Sequence, residues 1–500
     1  MFKKLAVTAI CVAFVASNAV AQDAKSVIAN AQKAMGDVKS ITYSGSAKDV
    51  AFQQCGANST DMVCRFQHDP MRPINNYIRA IDLTAPASRA TGATNNIGAG
   101  GSTTLAAGTF SQQISAQQTD VASPWNNSLE FYITPWGFLK GAADNNAKVS
   151  KQKVAGKNYT VLTWSPTVKA ASGKSYVING YVSDKNTVDR VETWLADNIM
   201  GDMHILAVYS GWKDFGGVMA PAKIVQTRGG FPFFEVNVTA AKANPSDLAT
   251  LAVPPAPAGG AKGGAPKGGG GAPKGGPAAT PPPPTVTAEK LGDGIYRLTT
   301  GNGSYDSVIV EFKDYIMMFE AGDSIARAES YLAETHKLIP NKPIRYVMNT
   351  HPHADHTGGL PALVEEGATI ITQKNNADFL MKSLNTPRTL LTDKLAKNPK
   401  PAKVETVGEK KVYTDGTRRV EMYHIPGAPH SNGLMIAFIP KEKILFQGDF
   451  SVTPGQPAND HVKALVPVLV KLNLDFDRYI NVHASAAPQT KADVWKSVGK

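Results

Sequence analysis

Between Pro254 and Pro284 the chain carries ten prolines and ten glycines in 31 residues, with Lys262, Lys267 and Lys274 as its only charges. A stretch so rich in backbone breakers and so poor in large apolar side chains has nothing from which to build a core, so it is expected to be a solvated spacer. Residues 281–284 stiffen it and residues 268–271 loosen it. The spacer divides the chain into an N-terminal unit, 22–252, and a C-terminal unit, 286–500, with 253–285 as the linker. Each unit has on the order of 200 residues, enough for a core of its own, and a long spacer predicts few contacts between them. With 42% hydrophobic and 19% charged residues over the 500 positions, neither a disordered chain nor a fibre is compatible with the composition.

The first residues, 1–21, read as an export leader. Lys3 and Lys4 precede an apolar run from Leu5 to Val15, and Ala19-Val20-Ala21 supplies a small-x-small cleavage site. The run is too short to span a bilayer and no later stretch reaches the necessary length. The mature protein is therefore expected to be periplasmic or secreted, with no transmembrane segment. In that oxidising setting Cys55 and Cys64, which lie in a loop-like segment, are expected to pair as a disulfide.

The formal charge of +11 does not signal a nucleic-acid partner. Residues 287–500 hold 26 Lys and Arg against 24 Asp and Glu, and no dense basic stripe occurs elsewhere. A small-molecule substrate is the expected partner instead.

The N-terminal unit opens with Val27, Ile28, Ala31 and Met35 at helical spacing before Gly36. Alternating aromatic-rich stretches follow at Leu129–Thr134, Asn158–Trp164, Tyr176–Val182, Arg190–Leu195, His204–Trp212 and Phe234–Val238, with turns such as Asp184-Lys185-Asn186 between them. They predict a mainly antiparallel, curved sheet with a helix against it. The segment from Asp214 to Pro254, with its Gly-Gly-Val-x-x-Pro and Asn-Pro-Ser-Asp elements, resembles the half-barrels of lipoprotein-sorting carriers. That resemblance implies a cradle for a lipid or another envelope component. His68 and His204 stand isolated.

The C-terminal unit alternates strands at Tyr296–Leu298, Ser307–Phe312, Tyr315–Glu320 and Ile344–Met348 with a helix at Ser324–Leu338, and later strands at Thr369–Thr372, Val420–Ile425, Leu434–Ile439 and Ile444–Gln447. Directly after Met348 comes Asn349-Thr350-His351-Pro352-His353-Ala354-Asp355-His356-Thr357-Gly358-Gly359, which packs three histidines and an aspartate into six positions. Alternate residues of a looping segment project together, so His351 and His353 face one point while Asp355 and His356 turn to another. Imidazoles and a carboxylate in neighbouring sets suit zinc, and two such sets suit a pair of zincs sharing a water.

This segment resembles the signature of the metallo-β-lactamase superfamily, and the likeness runs from Thr287 to the end of the chain. The family's further ligands have counterparts in His430, Asp449 and His483, each after a predicted strand. The resemblance implies an αβ/βα sandwich and a pair of Zn²⁺ ions at one edge. One metal would be held by His351, His353 and His430, the other by Asp355, His356 and His483, with Asp449 bridging and Asp355 as the catalytic carboxylate. The implied activity is an exported dinuclear zinc hydrolase, in which hydroxide held between the metals attacks an ester, lactone, lactam or related bond. The alternatives are an antibiotic-hydrolysing metallo-β-lactamase proper, a mononuclear iron enzyme resembling persulfide dioxygenases, and an envelope ligand-binding protein with an accessory metal domain. Glu320 stands where the family commonly has an aspartate that supports the ligands from behind. His336, His424 and His461 are left with ordinary structural or surface roles. Gly301–Tyr305, Asn385–Leu395 and Ser451–Ala458 are expected to shape the pocket.

Overall fold

The computed structural model describes residues 23–49, 71–97, 105–121, 123–248, 283–300, 305–428, 430–453, 455–483 and 487–500. The leader, Cys55, Cys64, His68 and all but the last residues of the spacer lie outside the described residues. No helix among the described residues is long and apolar enough to cross a membrane.

The chain has two domains. Eleven antiparallel strands form the N-terminal sheet, in the order Leu105–Ile114, Ala87–Ile97, Arg72–Asp82, Ser40–Asp49, Phe231–Ala243, Lys223–Arg228, Gly201–Ser210, Val188–Asp197, Ile178–Val182, Lys157–Trp164 and Lys148–Val154. Register shifts at Ser44/Gly45, Gln226/Thr227 and Tyr181/Val182 mark bulges, which bend and twist the strands that carry them. The opening helix is Ala24–Ala34, capped by the Asp23 side chain on the Ser26 N–H at 2.7 Å.

Leu129–Thr134, expected as a strand, is not one. Trp125–Tyr132 and Pro135–Asp144 are helices, and Thr134 is the N-cap between them, accepting from the Gly137 N–H at 3.1 Å. The alternation of Phe131, Ile133 and Trp136 imitates a strand over a short window. What decides the outcome is Pro135 at the first position of a helix and a buried face of Trp125, Leu129 and Phe131 packed on the sheet. Glu130 anchors that helix. Its carboxylate accepts from Arg228 at 2.5 Å and Gln226 at 3.1 Å, while Arg79 donates to its carbonyl oxygen at 3.2 Å. Burial works against its charge, but Arg228 and Arg79 outweigh that cost and hold the carboxyl below its ordinary range.

The C-terminal domain is a four-layer sandwich. One sheet has seven strands, Val286–Gly292, Ile295–Thr300, Asp306–Glu311, Ile316–Phe319, Ile344–Met348, Thr369–Gln373 and Lys403–Val407. The other has six, Lys410–Thr414, Arg419–His424, Met435–Ile439, Ile444–Gln447, Arg478–Asn481 and Gln489–Thr490. Val308, Met317, Phe319, Met348, Met422, Ala437, Phe446 and Ile480 fill the space between the sheets. Helices Ile325–Leu338, Leu360–Glu366 and Lys374–Leu384 share a core with the outer face of the first sheet, and Asp460–Leu472 with that of the second. Ile344–Met348 runs parallel to Ile316–Phe319, and Ile444–Gln447 parallel to Arg478–Asn481, which gathers several strand ends at one edge.

The glycines that close the histidine motif are fixed by crowding. A Cβ on Gly358 would stand 2.0 Å from the Asp323 carbonyl oxygen, and one on Gly359 2.2 Å from that of Ala321. Both neighbours are backbone and cannot rotate away. Gly359→Ala is therefore expected to cost about 1–3 kcal/mol by forced overpacking, and a thermal unfolding midpoint equal to wild type would refute it.

The two domains are not loosely tethered. Asp202, the second residue of strand Gly201–Ser210, accepts from the Thr389 N–H at 2.9 Å and the Leu390 N–H at 2.8 Å through its carboxylate, and donates its own N–H to the Pro387 carbonyl oxygen at 2.6 Å. Phe231 packs on Phe379 with ring centroids 5.6 Å apart, and Lys382 lies over the Phe231 ring at 4.2 Å. The hydrophobic core of the N-terminal sheet is continuous with that of the first C-terminal sheet. A spacer sets how far two units can part; the surfaces they present decide whether they do. This loop at Asn385–Leu395 was expected at the pocket, yet its central residues bind the N-terminal domain.

Candidate metal centre

Each functional side chain leaves the end of a strand or the short turn after it. His351 and His353 follow Ile344–Met348, Asp355 and His356 lie on the one-turn helix Ala354–Thr357, and His430, Asp449 and His483 follow Arg419–His424, Ile444–Gln447 and Arg478–Asn481. All seven residues singled out in the sequence converge, in two groups: His351, His353, His430 with Asp449, and Asp355, His356, His483 with Asp449. Within each group the ligand atoms lie within 4.8 Å of one another.

Asp449 divides its two oxygens between the groups. Oδ2 is 2.7 Å from His430 Nε2 and 3.7 Å from His351 Nε2, while Oδ1 is 2.8 Å from His483 Nε2 and 3.0 Å from His356 Nε2. In the first group His351 Nε2 is 3.0 Å from both His353 Nδ1 and His430 Nε2. In the second, Asp355 Oδ2 is 3.3 Å from His483 Nε2 and 3.6 Å from His356 Nε2.

These distances fit a cation at each group. Two nitrogens on one tetrahedral zinc, each about 2.0–2.1 Å from it, stand roughly 3.3 Å apart. Nitrogen lone pairs aimed at one another from 3.0 Å, as around His351 Nε2, otherwise repel unless a proton lies between them. His356 Nε2 is buried 3.0 Å from Asp449 Oδ1 without a well-aligned hydrogen bond, a state that a metal held by both atoms would relieve.

Supporting contacts select the nitrogen that faces the centre. Thr350 Oγ1 lies 3.1 Å from His351 Nδ1, and Glu320 Oε2 lies 3.3 Å from His356 Nδ1, leaving Nε2 of both rings inward. Glu320 sits at φ +69°, accepts from the Thr350 N–H at 2.6 Å and donates its own N–H to Met348 at 2.8 Å. Its extra methylene thus spans the motif loop and reaches the ring. Asn481 accepts from the His483 N–H at 2.6 Å, and Asn376 donates to the Gly433 carbonyl oxygen at 2.8 Å behind the loop of His430.

Charge is distributed unevenly. Burial, with His356 and His353 adjacent, pushes His351 well below the ordinary histidine range; burial and His430 do the same to His353. Both are thereby neutral, the form that binds metal. Burial opposes ionisation of His356 and His483 as well, but Asp355, Asp449 and Glu320 outweigh it at His356, and Asp449 with Asp355 push His483 up to about 10. Asp355 and Asp449 are held well below the carboxylate range, because His356 and His483 overcome the cost of burial.

Two residues near the centre escape a sequence reading. Tyr305, the last residue of a loop expected at the pocket, has its Oη 3.5 Å from Asp355 Oδ2 and its ring centroid 5.0 Å from His483. His461, assigned an ordinary role, packs its ring 4.8 Å from His430 and hydrogen-bonds the backbone of Asp449. It lies more than ten positions beyond Asp449, on a different element from any motif, and nothing in its neighbourhood marks it. His461→Ala is expected to weaken metal retention about 10–100-fold, as loss of a ligand-supporting group does, while the unfolding midpoint of the metal-free protein stays near wild type. Unchanged competition against a chelating dye would remove His461 from this role.

Residues 300–489 match the family described as the metallo-beta-lactamase superfamily. A linear primary-alkylsulfatase from a Pseudomonas species is 39% identical over 74 residues, 15% of this chain and 11% of that protein. A hydroxyacylglutathione hydrolase from Pelagibacter ubique is 28% identical over 119 residues, 23% of this chain and 41% of that protein. The chain thus spans about a tenth and about two fifths of these curated relatives. Among solved structures, a metallo-beta-lactamase from Pontibacter korlensis aligns at 18% identity with a TM-score of 0.32, covering 42% of this chain and 95% of that one. Carrying that family match together with the seven converging side chains, the C-terminal domain belongs to the metallo-β-lactamase superfamily.

Proposed function

We propose that the protein is a hydrolase that works with two divalent cations, zinc foremost. The observation that carries this reading is Asp449, whose two carboxylate oxygens each approach a different group of ligands. His351, His353 and His430 would hold one cation and Asp355, His356 and His483 the other, with Asp449 between them. Two cations so held supply a water of lowered pKa and polarise the bond it attacks.

The chain's own residues do the rest. The Asp355 side chain is 36% exposed, whereas those of His351 and His356 are fully buried, so it faces incoming water and substrate. Its carboxylate is ionised at neutral pH and can orient the attacking water, take its proton and return it to the leaving group. The buried imidazoles wall off the other side and exclude bulk water.

The bond attacked is, in this proposal, an ester, lactone, lactam or related bond. The names of the relatives add sulfate esters and thioesters to the classes worth testing. The leader at 1–21 makes the proposed location the periplasm or the medium, which N-terminal sequencing of the mature protein tests directly.

The deciding measurement is metal content per chain in the purified full-length protein, by elemental mass spectrometry, followed by turnover of lactams, lactones, oxyesters, thioesters and sulfate esters. About two zincs per chain, with hydrolysis abolished by a chelator and restored by zinc, is expected. A single iron with oxygen uptake on sulfur substrates would replace this reading with the oxygenase alternative.

A further inference from the structure

The two ligand groups differ in access. His351, His353 and His430 are 0%, 1% and 4% exposed, while the side chains of Asp355 and His483 keep 36% and 33%. A substrate therefore arrives over Asp355 and His483. Tyr305 stands on this side, against both.

Its position is fixed from behind. The Tyr331 hydroxyl donates to the Tyr305 carbonyl oxygen at 2.9 Å. The guanidinium of Arg327 lies 4.4 Å from the Tyr305 ring centroid, and Arg327 is held in turn by Asp323 at 2.8 Å and Thr300 at 2.9 Å. With His483 packed against it too, the phenol has little freedom to swing.

The hydroxyl itself is not spent. At 3.5 Å from Asp355 Oδ2 it stands outside the range of a formed O–H···O bond. An oxygen placed between the two can be reached by both the phenol and the carboxylate. A phenol keeps its proton at neutral pH, so the hydroxyl stands beside the Asp355 carboxylate as a donor.

We propose that Tyr305 Oη is a substrate-contacting hydrogen-bond donor that holds the leaving-group oxygen, which fits the site to esters of alkyl alcohols. This rests on the hydrolase reading above. In the step, water's oxygen bonds to the acyl or sulfuryl centre as the bond to the leaving oxygen breaks. The electron pair goes to that oxygen, and the water's proton reaches it through Asp355; the phenol keeps its own proton throughout. An alkoxide-like leaving oxygen carries most charge at the transition state and gains most from the donor. An aryloxide gains less, and a thiolate, a poor acceptor, least.

The test is Tyr305→Phe in the full-length, zinc-loaded protein, with kcat and KM measured on alkyl and aryl esters of one acid. The ring remains, so metal content and unfolding midpoint should match wild type. The expected result is a kcat on alkyl esters lower by about 10–100-fold, the rate equivalent of a hydrogen bond to a charge-bearing oxygen, with aryl esters lowered less than about 3-fold. Equal loss on both series, no loss on either, or loss of zinc would overturn the proposal. Wild-type protein that holds two zincs and turns over lactams, lactones, thioesters or sulfate esters but neither ester series would overturn this proposal alone, whereas turnover of none of these would sink the hydrolase reading and this proposal with it.

Discussion

Asp449→Asn is expected to cut both metal retention and turnover, because among the described residues Asp449 is the ligand that the two groups share. The amide keeps the shape of the carboxylate but loses its charge and one acceptor oxygen. In wild type Oδ2 lies 2.7 Å from His430 and Oδ1 2.8 Å from His483; whichever way the amide turns, one imidazole faces an N–H instead. Loss of a group that merely supports a ligand costs about 10–100-fold, so a residue placed between both groups should exceed the upper end, with turnover falling by more than about 100-fold. Metal per chain should fall from about two to one or less. Stability supplies a second readout. A ligand at 100 times its Kd stabilises the fold by about 2.7 kcal/mol, so zinc should raise the unfolding midpoint of wild type clearly and that of the variant much less. A variant that keeps two zincs and wild-type turnover would show that Asp449 is not the shared ligand and would dissolve the dinuclear scheme.

How much of this was legible in the sequence depended on distance along the chain. His351, His353, Asp355 and His356 are contiguous, and their spacing alone points to a metal. His430, Asp449 and His483 are scattered, but each follows an apolar strand, and strand ends at one edge of a sandwich meet. The resemblance to a known family named them, and the structure brings them together. Tyr305 and His461 carry no such mark, since their relevance lies in a ring packed against a ligand from another element. Leu129–Thr134 failed for a different reason. Its alternation is real over a few residues, but Pro135, the Thr134 cap and the Glu130–Arg228 pair act over a longer range than the window. The domain contact was hidden as well. A proline and glycine spacer has a readable stiffness, yet the affinity of the surfaces it joins resides in Asp202, Phe231 and Phe379, none of which stands out singly.

That contact leads to the second large effect. Asp202→Ala combined with Phe231→Ala should loosen the N-terminal domain from the loop at 387–390 and from helix Lys374–Leu384. The first substitution leaves the N–H groups of Thr389 and Leu390 without the carboxylate they share. The second uncovers Phe379, which is fully buried, and removes the ring under Lys382. Full burial of an aromatic is worth roughly 1.5–3 kcal/mol, of which the half-buried Phe231 contributes about half, and the two hydrogen bonds about 1 kcal/mol each. Together, roughly 3 kcal/mol should be lost, a fall in the unfolding midpoint on the order of 6–12 °C for a unit of this size. The effect should not stop at stability. The same helix holds the loop of His430, through Asn376 on the Gly433 carbonyl oxygen at 2.8 Å and Asn375 on that of Asn432 at 3.3 Å. Metal retention in the double variant should therefore weaken below the unfolding transition, while the secondary structure of each domain persists. Deletion of 22–285 should reproduce the loss in a stronger form, leaving a C-terminal domain prone to aggregate through its uncovered face. If the double variant melts with wild type and holds zinc equally well, the domains are joined by the spacer alone and the interface carries no energy.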